Sequence, residues 1–226
     1  MKLKSTFLAT LGLVASLAAH ADTIDFGAYV LDFDASTVFG APAYSFSSSG
    51  DVVGFAWQVP SSVQVVSIGG AAANANFNLP SFTVLAKPGF ALSGGFSGFL
   101  GNLVFNEVGG STSASASGQL SVDGGPAVSF GGTLGRTITT ASPGFTSGFY
   151  AGSSSAPVGA FSSLSFSGGV LSLSASGGSF ASVIGQPQNE LKLSFVATPV
   201  PEPQTYALLL AGLGVVGALA RRRREV

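Results

Sequence analysis

The run Leu164-Ser165-Phe166-Ser167-Gly168-Gly169-Val170-Leu171-Ser172-Leu173 sets apolar residues and serines in alternation around a glycine pair. A period of two places successive side chains on opposite faces, so such a run hides its apolar residues as β-structure and not as a helix. Gly168-Gly169 suits a two-residue turn with positive φ. That turn predicts a hairpin pairing Ser167 with Val170, Phe166 with Leu171, Ser165 with Ser172 and Leu164 with Leu173, with apolar residues gathered on one face. A second predicted hairpin sets Leu120 against Phe130 and Val122 against Val128 across a loop at 123–127.

The same signal recurs at 51–59, 63–68, 81–85, 90–95, 103–108 and 190–197, with glycine or proline between the runs. No apolar pattern keeps a 3.6-residue period over three turns between residues 22 and 198. The weakly patterned 111–117 stretch reads as a loop or edge, and pairs such as Gly94-Gly95 and Gly131-Gly132 read as turns. The 19 phenylalanines argue against disorder and supply a core. Serine covers the outward positions, wetting them without charge. The expectation is all-β: a single antiparallel β-sandwich, jelly-roll-like, over 22–198, flanked by an N-terminal signal helix and a C-terminal hydrophobic helix.

Both ends read as addresses. Residues 1–21 run from Lys2 and Lys4 through an apolar stretch at 7–19 to Ala19-His20-Ala21. A basic start, a short apolar core and small residues at −3 and −1 describe a secretory signal peptide, cut after Ala21 by signal peptidase. The apolar stretch is shorter than the roughly 20 residues a membrane span needs. Residues 199–226 hold Val200-Pro201-Glu202-Pro203, an apolar run at 206–220, and Arg221, Arg222, Arg223 and Arg224. As a helix the 15 apolar residues reach about 22 Å, near but short of a ~30 Å hydrocarbon core. The arginines hold their end in the cytoplasm.

Pro-Glu-Pro, an apolar helix and an arginine cluster, in that order, resemble the PEP-CTERM sorting signal of Gram-negative bacteria. The resemblance covers 200–224 and reaches no residue before about 198, so it implies a route rather than an activity. It implies that Pro201, Glu202 and Pro203 form a processing tag for an exosortase, a membrane cysteine transpeptidase often accompanied by exopolysaccharide production. The implied path is an inner-membrane intermediate through 206–220, a transmembrane helix, then the periplasm, outer surface or extracellular matrix. An uncleaved single-span anchor is the other reading.

Charge narrows what the body can do. Of nine Lys and Arg, three (Lys87, Arg136 and Lys192) lie within 22–200, against eight acidic residues, a net charge of −5. Nucleic-acid binding needs several cations against phosphates and is excluded. The one histidine, His20, lies in the leader and there is no cysteine. Ser-His-Asp and Cys-His catalysis and imidazole–thiolate metal sites are therefore excluded from the mature chain.

Asp32 and Asp34 share a face on a strand and are the weak candidates for Ca²⁺, although no D-x-D-x-D-G loop follows. A carboxylate-based glycosidase built on them would need a cleft. Tyr29, Phe33, Tyr44, Phe55, Trp57 and Tyr150 either build the core or form a platform for sugar rings. The expectation is a non-enzymatic, cofactor-free surface or biofilm-matrix protein with a structural or adhesive role. The alternatives are a polysaccharide-binding module, for which these rings would be exposed, and a carboxylate-based glycoside-active enzyme.

Overall fold

The computed structural model describes residues 21–47, 51–200 and 203–222. Twelve strands form one sheet: β1 (Ala21–Asp25), β2 (Tyr29–Asp34), β3 (Tyr44–Ser47), β4 (Val52–Gln58), β5 (Gln64–Asn78), β6 (Phe82–Ala86), β7 (Phe90–Val122), β8 (Val128–Thr133), β9 (Gly135–Ser142), β10 (Phe145–Phe161), β11 (Ser163–Ile184) and β12 (Glu190–Pro199), followed by α1 (Pro203–Arg222). Every pairing is antiparallel. The main order is β1-β2-β6-β11-β7-β12-β4-β3, with β5 on β11, β10 and β8 on β7, and β9 on β10.

The sheet curls onto itself. β2 and β12 stand four steps apart in the strand order, about 19 Å in a flat sheet at ~4.8 Å per step. Yet the rings of Tyr29 and Phe195 lie 4.9 Å apart, centroid to centroid. β6 and β4 are also four steps apart, and Phe82 meets Phe55 at 5.3 Å. Leu31, Phe55, Trp57, Val84, Leu92, Phe96, Leu164 and Phe195 fill the space between the facing walls. The fold is all-β, as expected, and its core is the interior of one curled antiparallel sheet.

β7 joins the walls. Its first part, to Leu100, pairs with β12, and from Val104 onward it pairs with β11. At 33 residues it absorbs both runs expected at 90–95 and 103–108. It also absorbs 111–117, which is strand and not loop: Ser115 lies between Ser172 of β11 and Thr133 of β8. The expected strands at 51–59, 81–85 and 190–197 correspond to β4, β6 and β12, while 63–68 is only the start of β5. Gly94-Gly95 and Gly131-Gly132 lie inside β7 and β8, so they are not turns.

The hairpin at Gly168-Gly169 does not form. β11 runs straight through it: Leu164 pairs with Val84 and Val122, whereas Leu171 pairs with Phe77 and Ala116. The pairing with β7 slips between Ser167 and Val170, and Gly168 adopts φ +59. This is a bulge, and a one-residue slip turns the other parity inward. Leu164 and Phe166 are buried before it, and Leu171 and Leu173 after it. The β7–β8 hairpin does form, but Leu120 faces Val128 and Gly118 faces Phe130, two residues from the expected register. Asp123 (φ +48) and Gly124 (φ +70) build a tight turn, with Gly125 N–H donating to Val122 O, and the strands part before reaching it.

Candidate functional site

β12 delivers the chain to its tail. Leu193 and Phe195 are buried, Ala197 follows them inward, and Val200 N–H donates to Gly89 O at 2.8 Å. Among the described residues that bond is the last backbone tie to the sheet. Pro201 and Glu202 lie outside the described residues, and Pro203 opens α1, where a missing N–H costs nothing. The side chains of 206–216 are all exposed, with Leu208 at 74% and Leu210 at 68%. The helix thus presents an apolar surface that the sheet does not cover.

Among the described residues no helix is long and apolar enough to cross a membrane. This corrects the transmembrane expectation for 206–220. α1 has 20 residues, but its apolar run is shorter, bounded by Gln204 and Thr205 at one end and Arg221 at the other. Arg221 and Arg222 close the helix, and Arg223 and Arg224 lie outside the described residues. So do Ala19 and His20, whereas Ala21 opens β1, its backbone opposite Asp34.

In the body, Asp32 and Asp34 do share the outer face of β2, opposite Leu31 and Phe33. Each is engaged locally. Asp32 Oδ1 accepts from Thr23 Oγ1 at 2.8 Å, and Asp34 Oδ1 accepts from Ser36 N–H at 2.8 Å. The bonds from Ser36 hold the Asp34 carboxyl below the usual carboxylate range. No third acidic residue joins them, and no group of three potential metal-ligating side chains occurs among the described residues.

Five of the six candidate rings are core. Phe55 and Trp57 are fully covered, and Tyr29, Phe33 and Tyr150 are buried with them. Burial pushes the Tyr29 hydroxyl far above its ordinary value. The platform reading of these five is overturned: β2 and β4 turn their odd-numbered residues inward, so the shared parity of Phe55 and Trp57 aims them at the core. Trp57 Nε1–H donates to Gly40 O at 3.1 Å, which satisfies the buried indole.

Tyr44 is the exception. On edge strand β3 it sits half-buried beside Phe46, the rings 6.4 Å apart. Register places Tyr44, Ala56, Lys192 and Phe99 in one cross-strand row on the outer face. Tyr44 donates to Glu190 Oε1, Lys192 Nζ lies 2.5 Å from Glu190 Oε2, and the same ammonium stands 5.9 Å from the Phe46 ring centre. Burial alone would raise the Glu190 carboxyl; Lys192 and Tyr44 outweigh it and hold it low. Glu190 in turn raises the Lys192 ammonium, while burial and then Glu190 raise the Tyr44 hydroxyl. This cluster was missed from sequence, although Tyr44-x-Phe46 and Glu190-x-Lys192 both carry the period-two spacing that puts each pair on one face.

A second unforeseen cluster lies on the β7–β10–β9 side. Glu107 accepts from Thr112 Oγ1 at 2.7 Å and pairs with Arg136, whose guanidinium also covers the Phe105 ring at 4.5 Å. Tyr150 O–H donates to Thr112 O at 2.5 Å. No sequence pattern links Glu107 to Arg136: register sets Arg136 in line with Tyr150 and Leu103, and its long side chain reaches along the sheet to Glu107.

Residues 199–224 match the family described as the PEP-CTERM protein-sorting motif. Comparison with curated proteins and with solved structures finds no similar chain. The match begins at Pro199, the last residue of β12, takes in Val200 with its bond to Gly89 O, and extends through α1. The tail is therefore a sorting signal of the kind carried by exported proteins that an exosortase processes, and the body preceding it takes no part in the match.

Proposed function

We propose that this chain is a non-enzymatic component of the cell surface or its surrounding matrix, delivered by its tail and acting through its sheet in a structural or adhesive role. The observation that carries this reading is the contrast between body and tail. The body buries five of the six candidate rings, all but Tyr44, while the tail's apolar residues at 206–216 are left exposed beyond the Val200–Gly89 tie. Signal peptidase removes residues 1–21, and an exosortase-like transpeptidase acts at Pro201-Glu202-Pro203. Intact-mass analysis of the protein from surface and membrane fractions of the producing cells tests the route. Loss of both the leader and the Arg221–Arg224 cluster from the surface form supports it; full-length mass retained in the membrane sinks it.

One observation favours a second reading, binding of matrix polysaccharide. The outer-face row of Tyr44, Lys192 and Phe99, with Phe46 and Glu190 beside it, combines ring faces with charged hydrogen-bonding groups, and Phe99 is 40% exposed. Sugar rings stack on aromatic faces while hydroxyls bond to such groups. Affinity electrophoresis in the producing cells' own exopolysaccharide separates the readings. Retardation abolished by Tyr44→Ala favours the module, and unchanged mobility favours the structural role.

A further inference from the structure

Five strands have an open edge among the described residues: β1, β3, β5, β8 and β9 each pair on one side only. Four of them carry something that discourages another strand. β1 bears Asp22 and Asp25, and β3 is four residues long. The amide of Gly131 in β8 is already taken by Ser154 Oγ at 3.2 Å. β9 carries Arg136 and skips a residue at Thr139, where its pairing with β10 shifts. Charge, shortness and bulges are the usual means of blunting a sheet edge.

β5 has none of these over its second half. Ala73 to Asn78 pair with Ala175 to Val170 without a register shift, and no charged residue occurs between Asp51 and Lys87. Ala73, Ala75 and Phe77 line the half-buried face, with Asn74, Asn76 and Asn78 exposed on the other.

We propose that the free edge of β5 pairs antiparallel with β5 of a second copy of this chain, about a two-fold axis at Ala75. A two-fold perpendicular to a sheet requires one residue to face itself, because neighbouring pairs point to opposite faces. With Ala75 opposite its own copy, Ala73 meets Phe77 twice and Asn74 meets Asn76 twice. The large ring lies opposite the small methyl on one face, and amide meets amide on the other. Each of these is a favourable cross-strand combination, and no charge opposes a like charge. This inference deepens the structural reading above by naming its partner.

The chain has no cysteine, so single replacements report position cleanly. The test oxidises Ala75→Cys, Asn74→Cys, Asn74→Cys/Asn76→Cys and the β9 control Thr140→Cys in the full chain, with mild detergent shielding α1. Directly opposed residues come within disulfide reach, whereas residues two positions out of register lie about 7–8 Å apart and do not. Ala75→Cys and the double variant are expected to give a species of twice the monomer mass. Asn74→Cys and Thr140→Cys should give at least tenfold less, and adding Asn76→Lys to Ala75→Cys should abolish the product.

A monomer at every position overturns the proposal, as does equal cross-linking at residues 75 and 140, or a residue-75 product that survives Asn76→Lys. Failure of the structural reading shows elsewhere: a chain that cross-links at residue 75 but is missing from the surface fraction retains the β5 pairing and loses that reading. The reverse result loses only the pairing.

Discussion

Arg136 Nη2 lies 2.5 Å from Glu107 Oε2, and the two are unequally covered: the Glu107 side chain is 5% exposed and that of Arg136 34%. Arg136 belongs to β9, whose eight residues are all exposed, so this pair and the Phe105 ring beneath it pin an otherwise bare strand.

Arg136→Met should therefore cost more than a surface substitution. It strands a buried carboxylate, and breaking such pairs costs about 3–5 kcal/mol; partial exposure of Arg136 places the effect near ~3. Adding Glu107→Gln removes the stranded charge while keeping an acceptor for Thr112, so the double variant should regain at least about 1 kcal/mol. Urea unfolding of the two single variants and the double variant checks this, and strictly additive losses would refute the coupling.

Glycine alignment across strands gives a sharper contrast. Gly177 of β11 faces Gly70 of β5 and Gly110 of β7, so three adjacent strands slip at one level. At Gly178, φ is +62 and a Cβ would stand 2.2 Å from Val108 O, a backbone atom that cannot swing aside. Gly178→Ala should cost about 3 kcal/mol or more, because strain and overlap add. At Gly132 nothing lies within 4 Å of the added Cβ, and Gly132→Ala should stay within about 0.5 kcal/mol. Thermal unfolding of the two variants side by side tests the contrast.

These glycines also show what was legible in the sequence. Alternation identified β-structure at nearly every run, because face parity is a local property. It could not say whether Gly168-Gly169 reverses the chain or only slips it by a residue. Both solutions bring Leu164, Phe166, Leu171 and Leu173 to an apolar face, and the choice rests on Val84 and Phe77, remote partners in other strands. The 111–117 stretch reads as a loop or edge because Ser and Ala bury little area, yet β11 and β8 hold it between them by backbone pairing. At the tail the position is reversed: the sorting signal was readable from residue order alone, since it depends on no tertiary partner.

The Tyr44–Glu190–Lys192 cluster predicts a modest pH signature. Glu190 is held below its usual range, so its contribution is present above the unfolded value of about 4.3 and fades as pH falls through the folded value. Lys192 is raised, so its contribution holds below about 10.4 and fades as pH climbs through its folded value. Lys192→Met should thus destabilise most between about pH 5 and 10 and converge with the parent in acid. Because the Lys192 side chain is 40% exposed, the difference should stay under about 1 kcal/mol. Urea midpoints from pH 3 to 8 measure it, and a constant offset across that range would count against the ion pair.

Removing residues 201–226 should separate the chain's two physical characters. Val200 N–H is already tied to Gly89 O and the described side chains of α1, at 206–216, are exposed, so that stretch lends the sheet no packing. The far-ultraviolet β signature and the unfolding midpoint should match those of the parent within about 0.5 kcal/mol. Binding to vesicles containing anionic lipid should fall by at least tenfold. It draws on the apolar residues of 206–220 and on four arginines, each worth about 1 kcal/mol near such a surface. Vesicle co-sedimentation of both forms at low and high salt checks the two parts together. A truncated sheet that still binds vesicles would place the membrane-seeking surface in the body, and one that unfolds would show that α1 packs against it.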